Sequence, residues 1–170
     1  VAAIKAKEAK GEKFVWGLTP GGSPVGISSE LVEMFRAGEA SDPNVVVFSL
    51  FPGIQQNIVR HVLEAPELRG IVLRSFGSGN APQKPWLQQL LKEATRRGVT
   101  VVNISQCVAG SVKMGRYEAS YQLKDAGILT GYDSTVESAV AKLMFLQGHY
   151  TDCNVIRTLM NRNLCGEITK

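Results

Sequence analysis

The chain reads as an α/β protein: a single three-layer α/β/α domain over residues 1–170, Rossmann-like or flavodoxin-like, with a parallel sheet of about five strands. Three observations predict this. Short β-branched runs alternate about five times with amphipathic segments, which favours one sheet with right-handed crossovers. The runs Val45–Leu50, Ile71–Leu73 and Val99–Ile104 are almost continuously apolar, as strands covered on both faces by helices require. Glycines at 11, 38 and 98 stand just past helical patterns and stop them.

In chain order, residues 2–10 predict a short helix and Phe14–Leu18 a strand. Thr19–Val25 is a loop rich in glycine and proline, and a helix follows from about Ser28 to Ala37, with Leu31, Val32, Met34 and Phe35 on its apolar side. Val45–Leu50 is the next strand. Pro52-Gly53 breaks it, and a helix over 54–63 presents Ile54, Ile58, Val59, Val62 and Leu63. After the strand at 71–73 comes a helix over 83–97 carrying Trp86, Leu87, Leu90 and Leu91, with Asn80 as a cap and Pro82 in the first turn. The strand at 99–104 leaves through Ser105-Gln-Cys107, and 108–120 lacks periodicity and reads as an irregular loop. Gly127–Thr130 is the last strand. Ser134-Thr-Val-Glu137 is a capping box, and Thr151-Asp152 opens the final helix.

Composition narrows the function classes. A chain of 170 residues with 44% hydrophobic and 20% charged residues can build a sizeable core. No apolar run is long enough to span a bilayer and no signal peptide opens the sequence, which gives the expectation of a cytoplasmic protein without membrane contact. The net charge of +4 is spread along helices without an aromatic–basic platform, so nucleic acid is not an expected partner. Cys107, Cys153 and Cys165 share no C-x-x-C spacing, so reduced thiols are expected and neither a disulfide framework, a metal nor a cofactor is. His61 and His149 lie on helices without a neighbouring carboxylate or nucleophile signal, which makes both structural.

Gly70–Pro82 is the strongest candidate loop. A buried strand runs into a loop whose Gly77 and Gly79 allow positive φ and close backbone approach. At the carboxyl end of a parallel strand, where ligands of open α/β sheets bind, Arg74, Ser75 and Asn80 would project. A second glycine loop, Thr19-Pro-Gly-Gly-Ser23, followed by a helix N-terminus, is a candidate for weak phosphate binding through Thr19, Gly21, Gly22 and Ser23.

From Asn44 onward the sequence resembles the C-terminal domain of cytoplasmic type I L-asparaginases. The likeness is carried by Val45-Val-Val-Phe-Ser-Leu-Phe-Pro-Gly53, Leu73-Arg-Ser-Phe-Gly-Ser-Gly-Asn-Ala-Pro-Gln83, Val102-Asn-Ile-Ser-Gln-Cys107 and Gly131-Tyr-Asp-Ser-Thr-Val-Glu137. It implies a parallel α/β domain that completes an active site across a dimer interface. Asn80 would then reach the neighbouring subunit's substrate, with Tyr117 as a companion, and Arg74 and Cys107 would line a regulatory asparagine site. The nucleophile segments of that family are not among these residues, and Thr19-Pro-Gly-Gly-Ser23 resembles one of them only superficially.

Residues 1–48, through Phe14-Val-Trp-Gly-Leu-Thr-Pro-Gly-Gly-Ser-Pro24 and Leu31-Val-Glu-Met-Phe-Arg-Ala-Gly38, resemble the glucosamine-6-phosphate deaminase family. The two resemblances meet in the strand Val45–Leu50, each stopping where its own catalytic groups should appear. The sequence therefore leads to the expectation of a recombined or engineered scaffold without a complete catalytic site, retaining weak anion or asparagine binding and able to form a homodimer. The alternative is the C-terminal domain of an L-asparaginase that needs a separate nucleophile-bearing domain.

Overall fold

The computed structural model describes residues 14–18, 24–28, 41–108, 110–115 and 118–169, with the side chains of 14–18, 24–28 and 118–120 left undescribed. The chain divides into two compact units, Val1–Ala40 and Ser41–Lys170. In the first, β1 (Phe14–Leu18) pairs antiparallel with β2 (Pro24–Ser28), Phe14 standing opposite Ser28 and Leu18 opposite Pro24. The strand at 14–18 is thus where the sequence places it, but in a separate two-stranded sheet. Pro24–Ser28 corrects the reading of a loop through Val25 followed by a helix start. Val25 and Ile27 alternate with Pro24, Gly26 and Ser28, and this period of two supports extended backbone. The helices expected over 2–10 and beyond Ser28 lie outside the described residues.

The second unit is a four-stranded parallel sheet in the order β3 (Val45–Ser49), β4 (Gly70–Ser75), β5 (Thr100–Ser105), β6 (Leu129–Thr130). Its helices are α1 (Gln56–Leu63), α2 (Pro85–Arg96), α3 (Glu118–Asp125), α4 (Val136–His149) and α5 (Cys153–Met160). Two cores lie on opposite faces of the sheet. Ile71, Leu73 and Val101 pack with Val59 and Leu63 of α1, Leu87, Leu90, Leu91 and Ala94 of α2, and Leu123 of α3. Val72, Val102, Ile104 and Leu129 pack with Ala139, Leu143 and Leu146 of α4 and Ile156 and Met160 of α5. Successive strand residues point to opposite faces, so the apolar runs of β4 and β5 feed both cores and make the three layers.

Gly70 is required by close packing, since a Cβ there would come within 2.9 Å of Leu143, Gln147 and Val45. Three boundaries differ from the sequence reading. Helix α2 begins at Pro85 with Lys84 as its N-cap, because Pro85 loses no hydrogen bond at the first helical position; Asn80 does not cap it and Pro82 lies outside it. Helix α3 replaces part of the segment read as irregular: among its described side chains Leu123 is the buried one, with Ala126 just beyond, and Leu123 is the one large aliphatic residue in its sequence, too few to announce a helical period. In α1 the buried pair is Val59 and Leu63, one turn apart, whereas Ile58 is 58% exposed. The cap of α4 is Thr135, whose hydroxyl accepts the Ser138 N–H at 3.2 Å, while Ser134 Oγ donates to the Glu167 carbonyl at 3.4 Å. Asp152 caps α5 by accepting the Asn154 N–H at 2.8 Å.

The C-terminal tail is tied to α4 by an ion pair of low exposure. Lys142 Nζ donates to Glu167 Oε1 at 2.6 Å and to the carbonyls of Met160 and Arg162 at 3.0 and 2.5 Å. Burial alone would raise the Glu167 carboxyl, but the Lys142 ammonium and the N–H groups of Cys165, Leu164 and Glu167 outweigh it and hold the acid below its ordinary range. Among the described residues no helix is long and apolar enough to cross a membrane.

Candidate functional site

Strands β3, β4 and β5 run side by side, so their carboxyl ends open on one edge of the sheet. Beyond Ser75 the chain turns back on itself: the Phe76 N–H donates to the Asn80 carbonyl at 2.8 Å and the Asn80 N–H to the Phe76 carbonyl at 2.9 Å. The turn needs positive φ at Gly77 (51°) and Gly79 (110°). Gly79 is also hemmed in, since a Cβ there would lie 2.8 Å from Val112 Cγ1 and 3.3 Å from Asn103 Nδ2.

Three consecutive carbonyls of this turn are each held from outside it. Gly77 O accepts from Ser105 Oγ at 2.6 Å, Ser78 O from the Lys113 N–H at 3.1 Å, and Gly79 O from Asn103 Nδ2 at 3.2 Å. The segment carrying Lys113 is anchored in turn, with the Val112 N–H donating to Tyr132 O at 2.8 Å and Thr130 Oγ1 to Val112 O at 3.2 Å. The backbone of the Asn80 loop is therefore fixed while the Asn80 side chain presents a buried Oδ1 with no donor among the described residues.

Arg74 occupies the opposite face of β4, continuing from Val72, and its Nη1 lies 3.4 Å from Ser49 Oγ of β3. Its Nε is buried without an acceptor among the described residues. Gln106 clasps the three strand ends, donating from Nε2 to Leu50 O at 2.6 Å and Arg74 O at 2.9 Å while its N–H donates to Ser75 O at 2.9 Å. Cys107 is an exposed free thiol in the next turn, with its N–H on Ser105 Oγ at 3.0 Å and its carbonyl accepting the Gly110 N–H at 2.9 Å. Arg74, Asn80 and Cys107 thus share the carboxyl edge of the sheet. Tyr117, Thr19, Gly21, Gly22 and Ser23 lie outside the described residues, and strand β2 stands immediately after Ser23 where the phosphate reading expects a loop leading into a helix N-terminus.

Asn103, Ser105 and Gln106 have no role in the sequence reading, yet they build the edge. One signal for Asn103 was available: an amide inside Val-Val-Asn-Ile must find a partner if the strand is buried, and Asn103 is 0% exposed. A separate cavity of about 530 Å³ lies beside β6, lined in part by Val112, Lys113, Lys124, Thr130, Tyr132 and Asn161, and Arg74, Asn80 and Cys107 are not among its described lining residues. His61 is exposed on α1, its Nδ1 2.8 Å from Asn57 O; His149 Nδ1 is 2.8 Å from Phe145 O and its ring stacks at a tilt on Phe145. Among the described residues no group of three His, Cys, Asp or Glu side chains is arranged to hold a metal ion.

Comparison with known proteins places this edge in a family. The glutaminase/asparaginase C-terminal domain matches residues 44–160. L-asparaginase 1 of Escherichia coli K12 is 43% identical over 123 residues, covering 72% of this chain and 36% of that protein. The human 60 kDa lysophospholipase is 37% identical over 155 residues, covering 87% of this chain and 27% of that protein. The crystal structure of L-asparaginase I from Vibrio cholerae superposes with a TM-score of 0.73 at 40% identity, covering 77% of this chain and 39% of that one. This chain therefore spans about a third of the length of the relatives it matches. An 87% match also exceeds the three quarters of the chain that follow residue 44, so the likeness to the human protein crosses the strand where a recombination join was expected. These matches carry the asparaginase half of the sequence reading and give the deaminase-like and chimeric half no support. The chain belongs to the glutaminase/asparaginase C-terminal domain family.

Proposed function

We propose that the chain is the C-terminal portion of an L-asparaginase-type amidohydrolase, converting L-asparagine to L-aspartate and ammonia only beside a nucleophile-bearing domain. The observation that supports this most directly is the Gly77–Asn80 turn. Its backbone is held at three consecutive carbonyls while Asn80 Oδ1 has no donor among the described residues. Asparagine carries an ammonium and a carboxamide NH₂, and either can donate to a fixed amide oxygen. A rigid loop contributes more to positioning than a mobile one, because the ordering cost is met on folding and not on binding.

In this reading Asn80, with Tyr117 as companion, serves the active site of a neighbouring subunit, so the working assembly is at least a dimer. Arg74 and Cys107 border a second asparagine site, the guanidinium engaging the carboxylate. The first test is ammonia release. The chain alone should give none from asparagine above buffer; with the nucleophile-bearing half of an asparaginase joined or added it should turn over, and Asn80→Ala should abolish that turnover. Asparagine hydrolysis by the isolated chain, or full activity of Asn80→Ala in the assembly, would refute the proposal. Titration calorimetry with millimolar asparagine, with and without Arg74→Ala, tests the second site; the absence of heat removes it.

A further inference from the structure

We propose that Asn103 and Ser105 are positioning residues that form a side-chain ladder from β5 onto the Asn80 turn and set where Asn80 is presented. This rests on the reading of Asn80 as a substrate contact. Residues 101, 103 and 105 share one face of β5, and in the sheet register Leu73 pairs with Asn103 and Ser75 with Ser105. The chain leaving β4 folds back over the residues that end its neighbour. Gly77 O and Gly79 O, two residues apart, then meet the side chains at 105 and 103, also two residues apart. The rungs repeat with the period of a strand, but their donors are side chains, so residues of β5 that pair with β4 also reach the chain beyond the end of β4 at Ser75.

Chemistry explains why these two residue types occupy the positions. Asn103 is fully buried; its NH₂ reaches the Gly79 carbonyl, which offsets part of the cost of an amide there, while its Oδ1 has no donor among the described residues. Ser105 Oγ uses both functions of a hydroxyl: it donates to Gly77 O and accepts the Cys107 N–H at 3.0 Å. A Cβ at Gly110 would overlap that hydroxyl, so the turn after Cys107 closes directly over it. A single oxygen thereby joins the Cys107 turn to the Asn80 turn, and a movement of one is felt by the other.

The test is amide hydrogen exchange on the 170-residue chain, comparing Ser105→Ala, Asn103→Ala and Ser105→Thr, with Leu146→Val in the opposite core as a control for general destabilisation. The ladder predicts that the Gly79 and Asn80 amides, which donate to Phe76 O, exchange about five- to tenfold faster in the two alanine variants, the change that one neutral hydrogen bond supports. Amides within β4 and β5 should keep their protection, and Ser105→Thr, which retains the hydroxyl, should restore the native rate. Unchanged loop exchange in both alanine variants, or a uniform rise across β4 and β5 like that of the control, would overturn the proposal. Should Asn103→Ala fail to fold, Ser105→Ala at the rim of the sheet decides alone. In the assembled enzyme Ser105→Ala should lower kcat. An inactive native assembly would sink the asparaginase reading and leave the exchange result standing.

Discussion

Replacing Glu167 by alanine removes the carboxylate that faces the buried Lys142 ammonium at 2.6 Å. The Lys142 side chain is 6% exposed and Glu167 11%, so water screens little of the loss. Two carbonyls, of Met160 and Arg162, still accept from Nζ, but they carry no full charge. Breaking a buried pair from one side costs about 3–5 kcal/mol, whereas removing both partners as Lys142→Met with Glu167→Leu should cost much less, since no orphan charge remains. In a domain of this size each kcal/mol moves the midpoint by about 2–4 °C, so Glu167→Ala should lower Tm by roughly 6–20 °C. Thermal and urea melts of the two single variants and the double variant form the cycle. The pH dependence has a definite sign. Because the folded-state acid titrates below its ordinary 4.5, the pair contributes fully above that value, and its contribution is lost as pH falls through the lower folded value. A Glu167→Ala loss below about 0.5 kcal/mol, or a cost confined to alkaline pH, would refute the argument.

Other consequences follow from single positions. Gly79→Ala combines positive φ with a 2.8 Å clash against Val112, so it should destabilise by about 1–3 kcal/mol and, in the assembled enzyme, lower activity beyond what the loss of fold explains, measured by melts beside ammonia release. Leu91→Ala, in the fully buried α2 face, should cost about 2–5 kcal/mol in urea unfolding without touching the carboxyl edge. Burial first, and then the Glu167 charge, push the Cys165 thiol up, while Lys142 pulls it down. Glu167→Gln should therefore speed iodoacetamide labelling of Cys165 near pH 8, followed by mass spectrometry.

The sheet was legible because strands covered on both sides leave nearly unbroken apolar runs, as β4 and β5 do; β3 carries such a run too, but at the edge of the sheet none of its residues is fully buried and Val47 is exposed. Helices α2, α4 and α5 announced themselves by stripes such as Leu87, Leu90 and Leu91, and the glycines of the Asn80 turn by the positive φ that their positions demand. What the sequence withheld depends on partners distant along the chain. Helix α3 buries Leu123 among its described side chains, and an element with a single large aliphatic residue has no period to read. Phe14–Leu18 has the composition of a strand in either setting; only its pairing with Pro24–Ser28 decides between a separate antiparallel sheet and the parallel one.

At the candidate site the same division holds. The position of Asn80, Arg74 and Cys107 at the carboxyl edge could be read in advance, because a parallel α/β sheet exposes its loops at the carboxyl ends of its strands. Asn103, Ser105 and Gln106 could not be given roles. A short polar side chain on a strand acquires a function only when a specific carbonyl, here 24, 28 or 56 residues away along the chain, arrives within hydrogen-bonding distance. Local chemistry written in the sequence determined which residues face the edge of the sheet, and the register between β4 and β5 decided which of them hold it in place, because hydrogen bonds reach only about 3 Å and folding alone brings such distant groups that close.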